Sequence, residues 1–210
     1  MDLPSKDCSL CPRLCDFREQ NKEKFPGYFN GAVPPFTASD VRLLVVGLAP
    51  GLHGANNTGR PFTADYAGDL LYPTLIKFGF AKGDYAERAD DGLQLVGARI
   101  TNAVRCVPPE NKPTPAEIKT CNMFLQLELT ELKPRVVLVL GLVAHQAVLR
   151  ALKLKVTDYK FTHGGEYTLP NDAVLLSSYH CSRYNTNTGR LTEGMFHSVF
   201  ARAAELVKYS

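Results

Sequence analysis

Residues 135–140 read Arg-Val-Val-Leu-Val-Leu, and this run decides the fold. An unbroken Val/Leu run is typical of a parallel strand that is buried on both faces. Before it, the sequence predicts a helix over Pro115–Leu132, with Thr114 as N-cap and Pro115 in the first position. After it, a helix is predicted over Val143–Leu152. The chain around this strand therefore alternates between helix and strand.

The same alternation extends outward in both directions. Further strands are predicted over Arg42–Gly47, Val96–Thr101 and Ala173–Ser177, and further helices over Gly68–Phe78 and Thr192–Tyr209. Four such strands separated by helices predict an α/β fold with a four-stranded parallel sheet flanked by helices on both faces. The length of 210 residues predicts one domain, residues 1–210, in which residues 1–40 form an irregular segment with one short helix.

The composition is that of a folded protein, with 45% hydrophobic and 21% charged residues. The longest apolar stretches, residues 43–50 and 136–144, fall short of the ~18 residues that a membrane-spanning helix requires. The first residues match neither a secretory nor an import signal, so we expect a cytoplasmic location. The formal charge is −2 over residues 1–98 and +5 over residues 99–210, so we expect an anionic partner to bind the second half.

The segments directly after the strands are the candidate ligand-binding segments, because ligands of open α/β sheets bind beyond the carboxyl ends of the strands. They are residues 48–65, 102–112, 141–145 and 178–190. The first is rich in glycine but lacks the Gly-Lys-Ser/Thr ending of a P-loop and the G-x-G-x-x-G pattern of dinucleotide sites. Nucleotide triphosphates are therefore disfavoured as ligands.

Four of the six cysteines form two pairs that are distant in sequence: Cys8 with Cys11, and Cys106 with Cys121. Thiols of cytoplasmic proteins are normally kept reduced, so metal ligation is the first alternative to disulfides. Four thiolates in two pairs suit a tetrahedral zinc or an iron-sulfur cluster. The remaining two, Cys15 and Cys181, lie outside this pairing and are predicted to be buried thiols. A metal group would anchor the irregular first 40 residues.

Three motifs and the cysteines together carry a family resemblance. The motifs are Gly47–Gly51 running to Gly59–Asp65, then Thr101–Cys106, and then His180–Thr192. With the four paired cysteines, they resemble the family 5 (type b) uracil-DNA glycosylases, over a span from Cys8 to about Thr192. The resemblance implies the same four-stranded parallel sheet and a [4Fe-4S] cluster that ties down residues 1–40. The implied cluster ligands are Cys8, Cys11, Cys106 and Cys121, with structural zinc as the alternative.

The resemblance also implies an activity and a partner. It implies a DNA repair enzyme that hydrolyses the N-glycosidic bond of uracil and other deaminated or altered bases in DNA, leaving an abasic site. Its partner would be double-stranded DNA, with single-stranded DNA as a second form. No lysine stands out in the candidate loops as the amine nucleophile of a lyase, so the implied enzyme is monofunctional. The alternative is a noncatalytic, metal-stabilised nucleic-acid-binding module, and base release separates the two.

Two residues are candidates for the chemistry. Cleaving the bond puts negative charge on the departing base, and His180 could donate a hydrogen bond to it, as the matching histidine does in similar enzymes. Asp65, by its motif position, could orient or deprotonate the attacking water, although it also precedes a helix and could cap it. Asp69 is the second candidate for the acid. Ala49 stands where the best-known uracil-DNA glycosylases carry an acid.

Other residues are candidates for holding the base and the DNA. Phe62 resembles the aromatic that stacks on uracil, and Asn102 could present an amide to the base edge. The other predicted base-binding residues are Leu48, Ala49, Gly51, His53 and Asn57. The predicted phosphate contacts are Arg60, Lys112, Arg183 and Arg190. Tyr184 stands four positions after the motif histidine, where similar enzymes fill the gap left by the extracted nucleotide.

Overall fold

The computed structural model describes residues 3–208, whose strands form one six-stranded sheet and one two-stranded sheet. The strands are β1 Phe36–Thr37, β2 Leu43–Gly47, β3 Ala81–Lys82, β4 Gln94–Leu95, β5 Ala98–Asn102, β6 Val136–Leu140, β7 Glu166–Thr168 and β8 Val174–Ser178. The large sheet has the order β1-β5-β2-β6-β8-β7. Its four central strands pair in parallel, whereas β1 and β7 pair antiparallel at the two edges.

The helices alternate with the central strands as predicted. They are α1 Pro12–Lys24, α2 Ala55–Thr58, α3 Tyr66–Lys77, α4 Pro115–Leu132, α5 Leu142–Ala151, α6 Arg183–Asn187 and α7 Glu193–Lys208. The bounds of α4 are those predicted, because Thr114 and Glu117 form a capping box that fixes its start. The last helix was predicted to reach Tyr209, which lies outside the described residues. None of the helices described is long and apolar enough to cross a membrane.

The four central strands are buried at nearly every position, and alternate side chains fill two separate apolar layers. Leu43 and Val45 point into the layer beneath α3 and α7, whereas Leu44 and Val46 point into the layer beneath α4 and α5. Helices therefore cover both faces, as continuous apolar strands require.

The prediction of four strands is wrong in number, because the sheet has two more strands at its edges. With two and three residues, β1 and β7 are too short and too exposed to show a period in the sequence. The N-terminal segment also contains more helix than expected, since α1 spans 13 residues. After α1 the chain packs against α2, where the N–H of Phe29 donates to the carbonyl of Asn57 at 2.9 Å.

Strand register brings the predicted ligand-binding segments together. Gly47, the last residue of β2, pairs with Asn102, the last residue of β5. On the other side, Leu140 of β6 pairs with Ser178 of β8. Because these strands run in parallel, the segments that follow them meet at one edge of the sheet.

Candidate active site

The largest cavity described, about 630 Å³, lies at the carboxyl ends of β2, β5 and β8. Its wall combines polar and aromatic side chains with the glycine-rich segment after β2. The lining residues are Leu48, Ala49, Pro50, Gly51, Leu52, His53, Gly54, Ala55, Phe62, Ala64, Asp65, Tyr66, Ala67, Asn102, Asn111, His180, Ser182 and Arg183. The cavity is thus built from three of the four segments that follow the parallel strands.

Two glycines allow the functional side chains to approach the backbone. A Cβ atom on Gly47 would clash with the amide of Asn102 and would lie 2.5 Å from Cζ of Phe62. A Cβ atom on Gly51 would lie 2.6 Å from Oδ2 of Asp65. Any larger residue at either position would displace these side chains, so the glycines shape the cavity.

His180 enters the cavity two residues after β8. Burial lowers the pKa of its imidazole to about 4, so the ring is neutral at pH 7. Its carbonyl accepts a 2.8 Å hydrogen bond from Nδ2 of Asn185, which fixes the backbone. Within residues 3–208, neither ring nitrogen has a hydrogen-bond partner, so a ligand can take both. A neutral imidazole in this position can donate one N–H to an anion.

Asp65 occupies the N-cap position of α3, but its side chain makes no capping hydrogen bond. The carboxyl group instead lies against Gly51 and Gly54 in the cavity wall. Burial raises its pKa, whereas the backbone N–H groups of Ala67 and Tyr66 and then the Arg183 cation lower it. The carboxyl group is therefore directed at the cavity rather than used as a helix cap.

Asp69, the second candidate for the acid, is exposed on α3 and does not line the cavity.

Phe62 and Asn102 form the inner end of the cavity. Phe62 has a φ of 59°, which is rare for a bulky residue, and its ring is only 7% exposed. Its centroid lies 6.1 Å from that of His180, with 27° between the two planes. Oδ1 of Asn102 is buried without a hydrogen-bond partner within the described residues. An unpaired buried amide costs about 1–3 kcal/mol, which a ligand that pairs with it would recover.

The predicted base-binding residues fall into two groups. Leu48, Ala49, Gly51 and His53 line the cavity with the residues already described. Asn57 does not, because it lies in α2 and its carbonyl is bonded to the N-terminal segment.

The sequence prediction missed three polar lining residues: Tyr66, Asn111 and Ser182. Asn111 and Ser182 belong to segments that follow strands, which is the signal that could have found them.

The structure does not support a DNA contact by Arg60, which was predicted from its charge. Arg60 is 5% exposed, and its two terminal nitrogens donate to the carboxylate of Asp91 at 2.7 and 2.6 Å. Its guanidinium carbon also lies 5.2 Å from the ring centroids of Phe36 and Tyr72. A cation that is paired and enclosed in this way cannot reach a phosphate, so Arg60 is removed from the predicted DNA surface.

The other predicted DNA contacts lie at the surface. Lys112 has 81% of its side chain exposed, and Tyr184 on α6 is 72% exposed. Arg183 and Arg190 are also exposed, and each lies over an aromatic ring, Arg183 over Tyr66 and Arg190 over Tyr179. Their contacts with DNA remain predictions.

A second cavity is lined by five cysteines and shares no residue with the first. They are Cys8, Cys11, Cys15, Cys106 and Cys121. Cys15 was predicted to be a buried thiol outside the pairing, but it is only half-buried, and its Sγ donates to the carbonyl oxygen of Cys8 at 3.4 Å. Burial first, and then the neighbouring thiols, raises the pKa of Cys11 to about 11 and that of Cys106 to about 12. Cys181 is a buried thiol in the core, as predicted.

A neutral histidine, a carboxylate, an amide and an aromatic ring meet at the carboxyl edge of a parallel sheet. This arrangement defines an α/β enzyme whose substrate includes a planar, hydrogen-bonding ring. The family model of the uracil DNA glycosylase superfamily matches residues 34–204 of the chain.

Several known proteins are similar to the chain, the first two of them over nearly its whole length. A type-5 uracil-DNA glycosylase of Thermus thermophilus is 45% identical over 205 residues, which cover 95% of this chain and 93% of the relative. A type-5 uracil-DNA glycosylase of Pyrobaculum aerophilum is 39% identical over 202 residues, covering 94% and 88%. A type-4 uracil-DNA glycosylase of the same organism is 30% identical over 148 residues, covering 70% and 62%. The chain belongs to the uracil-DNA glycosylase superfamily and, within it, to the type-5 enzymes.

Proposed function

We propose that the chain hydrolyses the N-glycosidic bond of uracil, and of other deaminated or altered bases, in DNA and leaves an abasic site. One observation carries the proposal: a single cavity holds the neutral imidazole of His180, the carboxyl group of Asp65 and the unpaired amide of Asn102. The reaction needs a hydrogen-bond donor to the departing base, a carboxylate that acts on the water and a group that pairs with the base edge. These three groups meet those needs.

Each group has one task in the proposed reaction. The amide of Asn102 pairs with the edge of the flipped base, while the ring of Phe62 packs against its face. As the bond to the sugar breaks, negative charge collects on the base, and His180 donates a hydrogen bond to that charge. Asp65 orients or deprotonates the water that attacks the sugar. The described lining contains no lysine, which fits hydrolysis by water rather than attack by an amine.

Base release separates this proposal from a noncatalytic nucleic-acid-binding module. A duplex oligonucleotide with one uracil is incubated with the protein, and abasic sites are then cleaved with alkali. The enzyme yields a cleaved strand from the uracil duplex and none from a matched thymine duplex. A protein that retards both duplexes but releases no base would be the binding module.

We propose further that Cys8, Cys11, Cys106 and Cys121 hold a [4Fe-4S] cluster in a structural role. The fit rests on the donor set, since the thiols surround one apolar cavity that joins α1 to the segment after β5 and to α4. Within residues 3–208, no three His, Cys, Asp or Glu side chains are placed to hold a single ion. When bound, the cluster supplies a covalent tie between the N-terminal segment and the sheet.

Metal analysis tests the cluster. Protein purified without oxygen is expected to be brown and to contain about four irons per chain. Cys106→Ser is expected to lose the colour and most of the iron, because it removes one ligand. Cys15→Ser is the matched control, since it removes a thiol of the same cavity that is outside the proposed set. A colourless protein with one zinc would support the zinc alternative, and loss of iron from Cys15→Ser but not from Cys106→Ser would change the ligand set.

Arg190 is expected to contact a DNA phosphate, because it is exposed beside the segment that carries His180. Arg190→Gln should weaken binding to damaged and undamaged duplex alike and reduce the slope of log K against log salt by about 1. Fluorescence anisotropy between 50 and 300 mM salt measures that slope. The control is Arg88→Gln, an exposed arginine that is paired with Asp90. An Arg190→Gln slope equal to that of the unaltered protein would exclude the contact.

A further inference from the structure

Tyr66 joins the short helix α6 to the start of α3, where the acid of the cavity lies. It is the first residue of α3 and directly follows Asp65. Its hydroxyl accepts a hydrogen bond from Oγ1 of Thr186 at 3.0 Å and donates one to Oδ1 of Asn187 at 3.4 Å. Both partners belong to α6, which is more than 100 residues away in sequence. The position of α6 is thus coupled to the residue beside Asp65.

Arg183 adds a cation to the same joint. It is the first residue of α6, and its guanidinium carbon lies 5.0 Å from the ring centroid of Tyr66. Asp65, Tyr66 and Arg183 all line the large cavity. A planar guanidinium over an aromatic face is held in place more firmly than a free side chain, so the Tyr66 ring keeps this charge at the cavity wall.

We propose that Tyr66 and Arg183 are positioning residues for Asp65: the hydroxyl and ring of Tyr66 fix α6 and its Arg183 cation at the cavity wall that carries the Asp65 carboxyl group. The inference rests on the proposed function, in which Asp65 acts on the water. It gives Arg183 a task within the enzyme that differs from the phosphate contact expected from sequence. Contact of α6 with DNA, where it occurs, would then also set the position of this charge.

The charged and titratable groups around Asp65 favour this assignment. Asp69 on α3 and the thiol of Cys181 after β8 both have their pKa raised in part by Asp65, so neither stabilises its charge. His180 is neutral at pH 7, and His53 lies in the cavity wall, in the loop after β2. Burial raises the pKa of Asp65, and the backbone N–H groups of Ala67 and Tyr66 oppose this most strongly; Arg183 is the charged side chain that adds to their effect.

The proposal predicts which variants shift the pH dependence of the reaction. Arg183→Gln removes the cation, so the pKa of Asp65 rises and the acid limb of the single-turnover rate moves to higher pH, by on the order of half a unit. Arg183→Lys keeps the charge and should leave the limb in place. Tyr66→Leu removes the platform and should move the limb as Arg183→Gln does, whereas Tyr66→Phe keeps the ring and should not move it.

The experiment measures uracil excision in single turnover from pH 4 to 8 for these variants and for Arg88→Gln, which removes an exposed cation outside the cavity. Because His180 also becomes protonated near pH 4, the profile of Asp65→Asn is recorded to identify the part of the limb that belongs to Asp65. An unmoved limb in Arg183→Gln, with a clear limb in the unaltered enzyme, overturns the inference and leaves the proposed function intact. An unaltered enzyme that releases no uracil overturns both, whereas an acid limb that survives Asp65→Asn unchanged overturns the inference and the role of Asp65 and leaves uracil excision itself intact.

Discussion

His180→Ala is expected to lower the single-turnover rate of uracil excision by on the order of 10²-fold or more, the usual effect of deleting a donor to a developing anion. The imidazole is neutral at pH 7 because burial lowers its pKa to about 4. It therefore donates a hydrogen bond without adding a formal charge to the ground state. The bond strengthens as the base becomes an anion, so its loss should reduce the rate of the chemical step much more than the binding of substrate.

Rates and binding are measured separately to test this prediction. The rate comes from quenched time courses with enzyme in excess, and binding comes from anisotropy on a duplex with a non-cleavable uracil analogue. His197→Ala is the matched control, because His197 lies on α7 outside the cavity, near Lys77 and Glu193. Equal losses of rate and affinity in His180→Ala would show that the histidine serves binding rather than departure of the base.

The neutral state of His180 also has a consequence for the pH profile. Between pH 5 and 8 its protonation does not change, so the histidine itself contributes no slope to the rate in this range. Any inflection found there must come from another group.

The parallel core was predictable because β2 and β6 are continuous apolar runs, and because α4 starts with a capping box that is visible in the sequence. The two edge strands were not predictable, since two or three half-exposed residues carry no period. The length of α1 was underestimated for a related reason: its residues are largely polar and show little apolar periodicity.

Placing ligands after parallel strands brought His180, Asp65 and Asn102 into one predicted site, and the structure places them in one cavity. The errors concern side-chain partners that are far away in sequence. Arg60 forms an ion pair with Asp91, which is 31 residues further along the chain, and it is buried in that pair. The hydroxyl of Tyr66 bonds to α6, 120 residues further along the chain, and no local sequence pattern indicates this contact.

Glycines set what the cavity can hold. With no Cβ on Gly51, the carboxyl group of Asp65 rests directly against the loop that contains Ala49. Ala49 has no carboxyl group, but Asp65 at the start of α3 can therefore supply one at the same wall of the cavity.

Asp65→Asn is expected to lower the single-turnover rate by about 10²- to 10⁴-fold, the range that a general base contributes. The amide fits the same space against Gly51 but cannot take a proton from water. Since Asp65 makes no capping hydrogen bond, the change removes no cap from α3. Asp69→Asn, one turn further along α3 and outside the cavity, is the control and should retain most of the rate.

Stability provides an independent readout of the same residue. Burial raises the pKa of Asp65 above 3.8, so the folded protein binds the proton more tightly than the unfolded chain. The free energy of unfolding contributed by this group therefore falls as the pH rises from 3.8 through the folded pKa. Asp65→Asn removes that loss, so at pH 7 the variant should melt at the same temperature as the unaltered protein or higher, while the two melting temperatures should converge below pH 3.8.

An Asp65→Asn enzyme that is slower but no less stable would identify a carboxylate kept for chemistry at the expense of stability. A variant that melts lower but excises uracil at the full rate would make Asp65 a structural residue and leave activation of the water to the backbone around Gly51.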